Sequence, residues 1–296
     1  MKYYYELTKS GLVFGNLVTV IAGFLLGARI VHGILGILPI NWGLLLATVV
    51  GIALVMASGC VFNNYIDRDI DIKMDRTKQR ALVKSHVSGR DAFVFASVLG
   101  IVGFLVLILC TNLLATLAAV VGFIFYVCVY TLWGKRNSVY GTFIGAIAGA
   151  TPPVVGYAAA SGRIDMAAAI LFLIMLAWQM PHFFAIAIRR HDDYAAAGVP
   201  VMPVKNGLRR TKFSMLIYII EFALAASLLF MFGYAGIVYL VIALVLGLVW
   251  LADGLRGFWI TDSASNANRS WARQMFFLSL IVMVVLFITI ALGAIV

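Results

Sequence analysis

Residues 92–134 read AFVFASVLGIVGFLVLILCTNLLATLAAVVGFIFYVCVYTLWG and contain no charged side chain. A membrane-crossing helix needs about 20 apolar residues, so this run is too long for one. Thr111-Asn112 is its natural turn, and the stretch therefore predicts a hairpin of two spans, 91–110 and 113–133. Read outward in the same way, the chain predicts further spans at 11–31, 40–62, 138–160, 166–188, 213–233, 235–253 and 274–295, with Gly233 to Gly236 separating the seventh from the eighth. Composition agrees: 64% of the 296 residues are hydrophobic and 11% are charged, where a soluble domain carries about 25% charged residues. Mean hydropathy is +1.04. Such a chain cannot hide its apolar surface in a water-soluble core. The expected fold class is all-α, a polytopic membrane protein of about nine transmembrane helices, with residues 1–296 as a single transmembrane domain.

The net charge of +10 would suit a nucleic-acid partner, but the basic residues lie in short loops between apolar runs. In a membrane protein such charge sets orientation. With the N-terminus in the cytoplasm, the outer side keeps only Arg29 and Arg163 of the 22 basic residues. The other 20 fall inside, and losing one span would scramble that split. The expected location is a bacterial inner membrane, with the N-terminus cytoplasmic and the C-terminus periplasmic. The first apolar run has no small-residue cleavage signature and reads as a retained span. Cys60, Cys110 and Cys128 sit in apolar runs with no CxxC pair, which excludes a disulfide framework or a zinc site.

Two cytoplasmic loops are long, 63–90 and 189–212, and both follow even-numbered spans, a placement that hints at internal duplication. The first begins Asn63-Asn64-Tyr65-Ile66-Asp67-Arg68-Asp69-Ile70-Asp71-Ile72-Lys73-Met74-Asp75. Asn63, Asp67, Asp71 and Asp75 recur every fourth residue, which on a helix puts their oxygens on one face. Asp69 points elsewhere. Stacked carboxylates repel unless something positive lies between them. Mg²⁺ suits, because it takes oxygen ligands and commonly bridges one or two carboxylates to substrate phosphates. Asn63, Asp67 and Asp71 are thus the expected metal-binding and catalytic groups; the bland alternative is a solvated helix end. Arg76, Lys78 and Arg80 follow at once and can close over a diphosphate, whereas topology alone asks for basic residues but not beside acids. The second loop repeats the order, acidic Asp192-Asp193 and then Lys205, Arg209, Arg210 and Lys212. Asp193 is a candidate second metal ligand and Lys212 a candidate diphosphate cation.

In the sixth span Pro181 predicts a kink. His182 beside it lies about two turns below the loop, where an ionisable residue is either functional or bonded to a carbonyl freed at the kink. Gly141, Gly145 and Gly149 have small-xxx-small spacing and read as helix packing. Pro152-Pro153 should break or bend the fifth span. Tyr126, Tyr130 and Trp133 read as an interfacial aromatic belt. Glu221 lies within the seventh span with no evident partner.

These residues resemble the intramembrane prenyltransferase superfamily typified by 4-hydroxybenzoate polyprenyltransferase, and within it the protohaem IX farnesyltransferase (haem O synthase) family. The resemblance is carried by the run from Asn63 to Asp71 with Arg76-Thr77-Lys78, by Lys135-Arg136-Asn137-Ser138, by Trp178-Gln179-Met180-Pro181-His182, and by Asp193-Tyr194 with Gly198-Val199-Pro200-Val201-Met202-Pro203. It covers nearly the whole chain. It implies nine helices around a central cavity, farnesyl diphosphate and haem B as substrates, Mg²⁺ as cofactor, and terminal-oxidase assembly partners downstream. It also implies substrate-binding roles for Lys135, Arg136 and His182. One departure stands out: where relatives often carry a second DxxxD, the position four after Asp193 is Ala197. The rival readings are a quinone-precursor prenyltransferase, a cation transporter using Asp67 and Asp71, and a non-catalytic oxidase assembly factor. A transporter's acids should lie near mid-membrane, whereas these lie at an interface.

Overall fold

The computed structural model describes residues 2–32, 40–261 and 265–295. The first outer connection at 33–39, part of the loop expected at 254–273, and Val296 lie outside the described residues. Among the described residues there is no strand, and nine helices are long and apolar enough to cross a membrane. They are Ser10–Val31, Trp42–Ile66, Gly89–Cys110, Leu113–Asn137, Gly141–Ser161, Met166–Arg189, Leu208–Met231, Ile237–Trp259 and Asn266–Gly293. All nine expected spans recur. The largest shifts are at the start of the seventh and ninth spans, which begin at Leu208 and Asn266 instead of 213 and 274, and at the end of the eighth, which runs to Trp259 instead of 253. Arg and Lys are good helix formers, so the backbone ladder runs on past the apolar segment.

The first span packs along the fifth and against the ninth, and the sixth lies against both the seventh and the ninth. In lipid there is little hydrophobic drive between helices, so small residues that allow close approach do the joining. Gly156 meets the carbonyl of Val20, and Gly23 meets that of Pro153. Of the expected small-residue stripe, Gly141 admits the Gly134 backbone, Gly145 the Tyr130 ring and Gly149 the Gln179 amide.

Three departures from regular helix position the site. The fifth span is two helices, Gly141–Gly149 and Thr151–Ser161, joined at Ala150 with φ −89° and ψ −9°. Pro152 and Pro153 fall in the first turn of the second piece, where a missing N–H costs nothing. The fourth span turns π-helical from Phe125 to Gly134, widening the turn before Lys135. The second span stops at Ile66, because Asp67 leaves helical geometry at φ −81° and ψ 2°. A four-residue helix, Arg68–Asp71, follows. The expected four-residue ladder is therefore broken, and Asp75 drops out of it to pair with Lys78 at 2.6 Å in the open. The sixth span, by contrast, runs unbroken from Met166 to Arg189 through Pro181.

The two long loops meet. Ile70 and Met74 of the first pack on Val199 of the second, with Tyr194, Ala197 and Val201 around them. The Asp75 N–H donates to Asp193 Oδ1 at 3.2 Å. Ala197 thus lies partly buried in an apolar seam between the loops.

Candidate active site

Although the ladder breaks, Asn63, Asp67 and Asp71 still converge. The Asn63 amide donates to Asp67 Oδ2 at 2.8 Å and to Thr131 Oγ1 at 3.1 Å. Asp67 is fully buried and Asp71 is 2% exposed. Burying carboxylates is costly unless they are paired. Lys135 lies 2.5 Å from Asp67, and Arg80 lies 2.5 Å from Asp71. Lys9 donates to Asn63 Oδ1 at 2.5 Å. Burial, with Arg80 and Lys135 nearby, lowers the Lys9 ammonium to about 8. Arg76 has no acidic partner among the described residues, and its charge acts on Tyr130 and Tyr194 beside the cluster. Lys9, Arg80 and Lys135 therefore surround two carboxylates, and the surplus of positive charge, to which Arg76 on the same loop adds, invites an anion.

Asp69 faces away, as expected. Arg136 forks onto it at 2.7 Å through both nitrogens, also reaches the Ile66 carbonyl at 2.9 Å, and holds its carboxyl down at about 2. The same guanidinium lies 3.6 Å from Asp67 Oδ1. Three expected site residues are placed differently. Lys78 is engaged with Asp75. Asp193 caps the first loop's backbone and lies 3.8 Å from Arg190, outside the acidic cluster. Lys212 is 2% exposed, donates to the Ile260 carbonyl at 2.9 Å and lies 5.8 Å from the Trp271 ring. It knits the seventh span to the eighth and ninth, because its helix begins earlier than the apolar pattern indicated and turns the ammonium inward.

The donor set fits one Mg²⁺. Asp67 Oδ1 is buried with no hydrogen-bond partner. Among the described residues no three His, Cys, Asp or Glu side chains gather as a metal cage. Two carboxylates and an amide suit an ion whose shell is completed by water and phosphate oxygens.

Beneath the cluster lies an apolar cavity of about 400 Å³, within the range of small-molecule sites. Cys60, one turn below Asn63, borders one side and His182 another, with Tyr126 between the fourth and second spans. Tyr126 is thus a cavity wall, and only Trp133 of the expected aromatic belt lies clearly outside, at 55% exposed. His182 does not bond a carbonyl freed at Pro181. Its Nδ1 lies 2.7 Å from Ser279 Oγ, and its ring sits between Trp178 and Phe276 with centroids 4.9 and 4.8 Å away. Lys9, Thr131, Ser279 and Gln179 were not singled out as site residues by sequence. Their one signal is a polar group within or at the edge of an apolar span.

The sequence model of the UbiA prenyltransferase family matches residues 13–281. A protoheme IX farnesyltransferase of Sodalis glossinidius is 50% identical over 281 residues, 95% of this chain and 91% of that one. Among solved structures, digeranylgeranylglyceryl phosphate synthase superposes with a TM-score of 0.78 at 20% identity, over 99% of this chain and 98% of that one. A UbiA homologue from Archaeoglobus fulgidus bound to GPP and Mg²⁺ gives 0.68 at 15% identity, over 95% of this chain and 99% of that one.

Proposed function

The chain belongs to the UbiA prenyltransferase family, and we propose that it transfers the farnesyl group of farnesyl diphosphate to a vinyl group of haem B, giving hydroxyethylfarnesyl haem and diphosphate. The observation that carries this reading is the cation-rich rim around buried Asp67 and Asp71, set directly over an apolar cavity that contains His182.

Lys9, Arg80 and Lys135, with Arg76 beside them, hold the diphosphate oxygens and oppose the charge that grows on them as the allylic C–O bond breaks. Charge stabilisation of this kind is commonly the largest catalytic contribution. Asp67 and Asp71 with Asn63 would hold Mg²⁺, which when bound would supply further positive charge to the same leaving group. Arg136 keeps Asp69 out of the cluster and adds its own charge to Asp67. The apolar wall excludes water from the allylic carbon. The vinyl π electrons then form the new C–C bond while the leaving group takes the C–O pair. Water adds to the resulting cation and loses a proton. No side chain acts as a covalent nucleophile.

The whole chain acts as one catalytic unit in a bacterial inner membrane, with the acidic cluster at the cytoplasmic face and terminal-oxidase assembly downstream. Haems extracted from cells with and without the protein, resolved chromatographically, test the reading. Expression should convert haem B into a more apolar species heavier by a farnesyl group and a hydroxyl group. An unchanged haem profile, with a prenylated phenol instead, would move the assignment to the quinone-precursor branch.

A further inference from the structure

We propose that Arg189 and Arg273 clamp the two propionate carboxylates of haem, above a His182 whose Nε2 is set to face the iron. This rests on the haem reading above and adds the orientation of the acceptor.

The imidazole's tautomer follows from its partner. Ser279 Oγ donates its proton to the Phe276 carbonyl at 2.6 Å. It must then accept from His182 Nδ1–H at 2.7 Å. The lone pair of the neutral ring is left on Nε2. Nε2 makes no hydrogen bond among the described residues, and the ring borders the cavity. A histidine whose second nitrogen is tied down, and whose plane is held between Trp178 and Phe276, has the arrangement of a metal-ligating imidazole.

The arginines are in register with it. Seven residues of helix return to within about 20° of the same face and advance about 10 Å. Met175, His182 and Arg189 therefore form one stripe on the sixth span. Arg273 and Leu280 form another on the adjoining ninth. Met175, His182 and Leu280 all line the cavity, and helix register carries both arginines about two turns beyond these positions, toward the side of the long loops. The two stripes lie on spans that pack against each other. Neither arginine has an acidic partner among the described residues, whereas neighbouring Arg190 faces Asp193 at 3.8 Å and Arg269 pairs with Asp192. Orientation in the membrane accounts for basic residues at this face. It does not account for two arginines without acidic partners, Arg273 having the Phe277 ring 5.8 Å away, on adjoining spans in line with cavity-lining positions. Two adjacent cations without counter-ions match two adjacent carboxylates. With the propionates there, the macrocycle's vinyl-bearing side reaches down into the cavity.

The test uses purified full-length protein in detergent without anionic lipid. Haem B and haem B dimethyl ester are each titrated by absorption, and inorganic diphosphate by competition with farnesyl diphosphate. R189Q/R273Q should weaken haem B at least about tenfold, leave the ester's weaker binding unchanged and leave diphosphate unaffected. R189K/R273K should recover part of the haem affinity. H182A and S279A should alter the spectrum of bound haem while the preference for haem B over its ester persists. If wild-type protein binds the ester as tightly as haem B, the clamp is wrong although the haem reading stands. If it binds neither, the haem reading fails as well. If R189Q/R273Q keeps haem B but, in a separate titration with added phosphatidylglycerol, loses the lipid binding seen for wild type, the arginines serve a lipid headgroup and the proposal is overturned.

Discussion

At the scale of single residues, Asp67 and Asp71 carry the most weight, because each is buried against a cation. Asp67→Asn or Asp71→Asn should lower kcat by about 10²–10³ by analogy with lost electrostatic groups, with insertion unaffected. Asp69→Asn should be milder, since Asp69 touches the cluster only through Arg136. Turnover of the purified variants checks this, and equal small losses at all three positions would remove the acidic cluster from the mechanism. Lys135→Ala leaves the fully buried Asp67 with one distant cation at 3.6 Å. Breaking a buried pair costs about 3–5 kcal/mol, so this variant should lose both thermal stability and farnesyl diphosphate affinity. Arg76→Ala should lose affinity alone, because Arg76 supports no buried acid. Melting temperature and competition binding, measured side by side, separate the two outcomes.

At the scale of elements, the first and fifth spans depend on Gly156 lying against the Val20 carbonyl, and the fifth and sixth on Gly149 lying against the Gln179 side chain. A methyl group at either position has to displace its neighbour. Gln179 is a side chain and can swing, although it would forfeit its hydrogen bonds to the Ala146 and Met175 carbonyls, each 3.0 Å. The Val20 carbonyl belongs to a helix backbone and cannot yield without moving the span. Overpacking typically costs about 1–3 kcal/mol, so Gly156→Ala should lower the detergent melting temperature more than Gly149→Ala. The reverse order would mean that the first span is loosely held. Periodicity alone singled out Gly149 and passed over Gly156, because nothing in a sequence states which backbone a glycine will meet.

At the scale of the whole molecule, the nine apolar helices among the described residues would put the termini on opposite sides of a membrane. Reporter fusions should place the N-terminus inside and Val296 outside; a cytoplasmic signal at Val296 would undo the charge-based topology. Both long loops then emerge in the cytoplasm and dock through Ile70, Met74 and Val199. Chelating divalent cations in purified protein should abolish turnover, and Mg²⁺ should restore it. Haem B titration should be unaffected by the chelator, since His182 lines the cavity and the acidic cluster does not.

The number of spans and the acidic motif with its basic companions were legible in the chain itself, and the charge split proposes their direction. Each is a local property: length of an apolar run against bilayer thickness, charge against the membrane surface, and oxygen ligands spaced along a few residues. Tertiary structure decided which of those residues act together. Lys9 reaches Asn63 across 54 positions and Lys135 reaches Asp67 across 68, pairings that no local pattern contains. Lys212 and Asp193 looked like equal members of the same set, yet one is turned into a buried knot and the other caps a loop. A basic or acidic side chain takes its role from whatever charge the fold buries beside it, and in a membrane bundle that is settled only when distant helices close on one another.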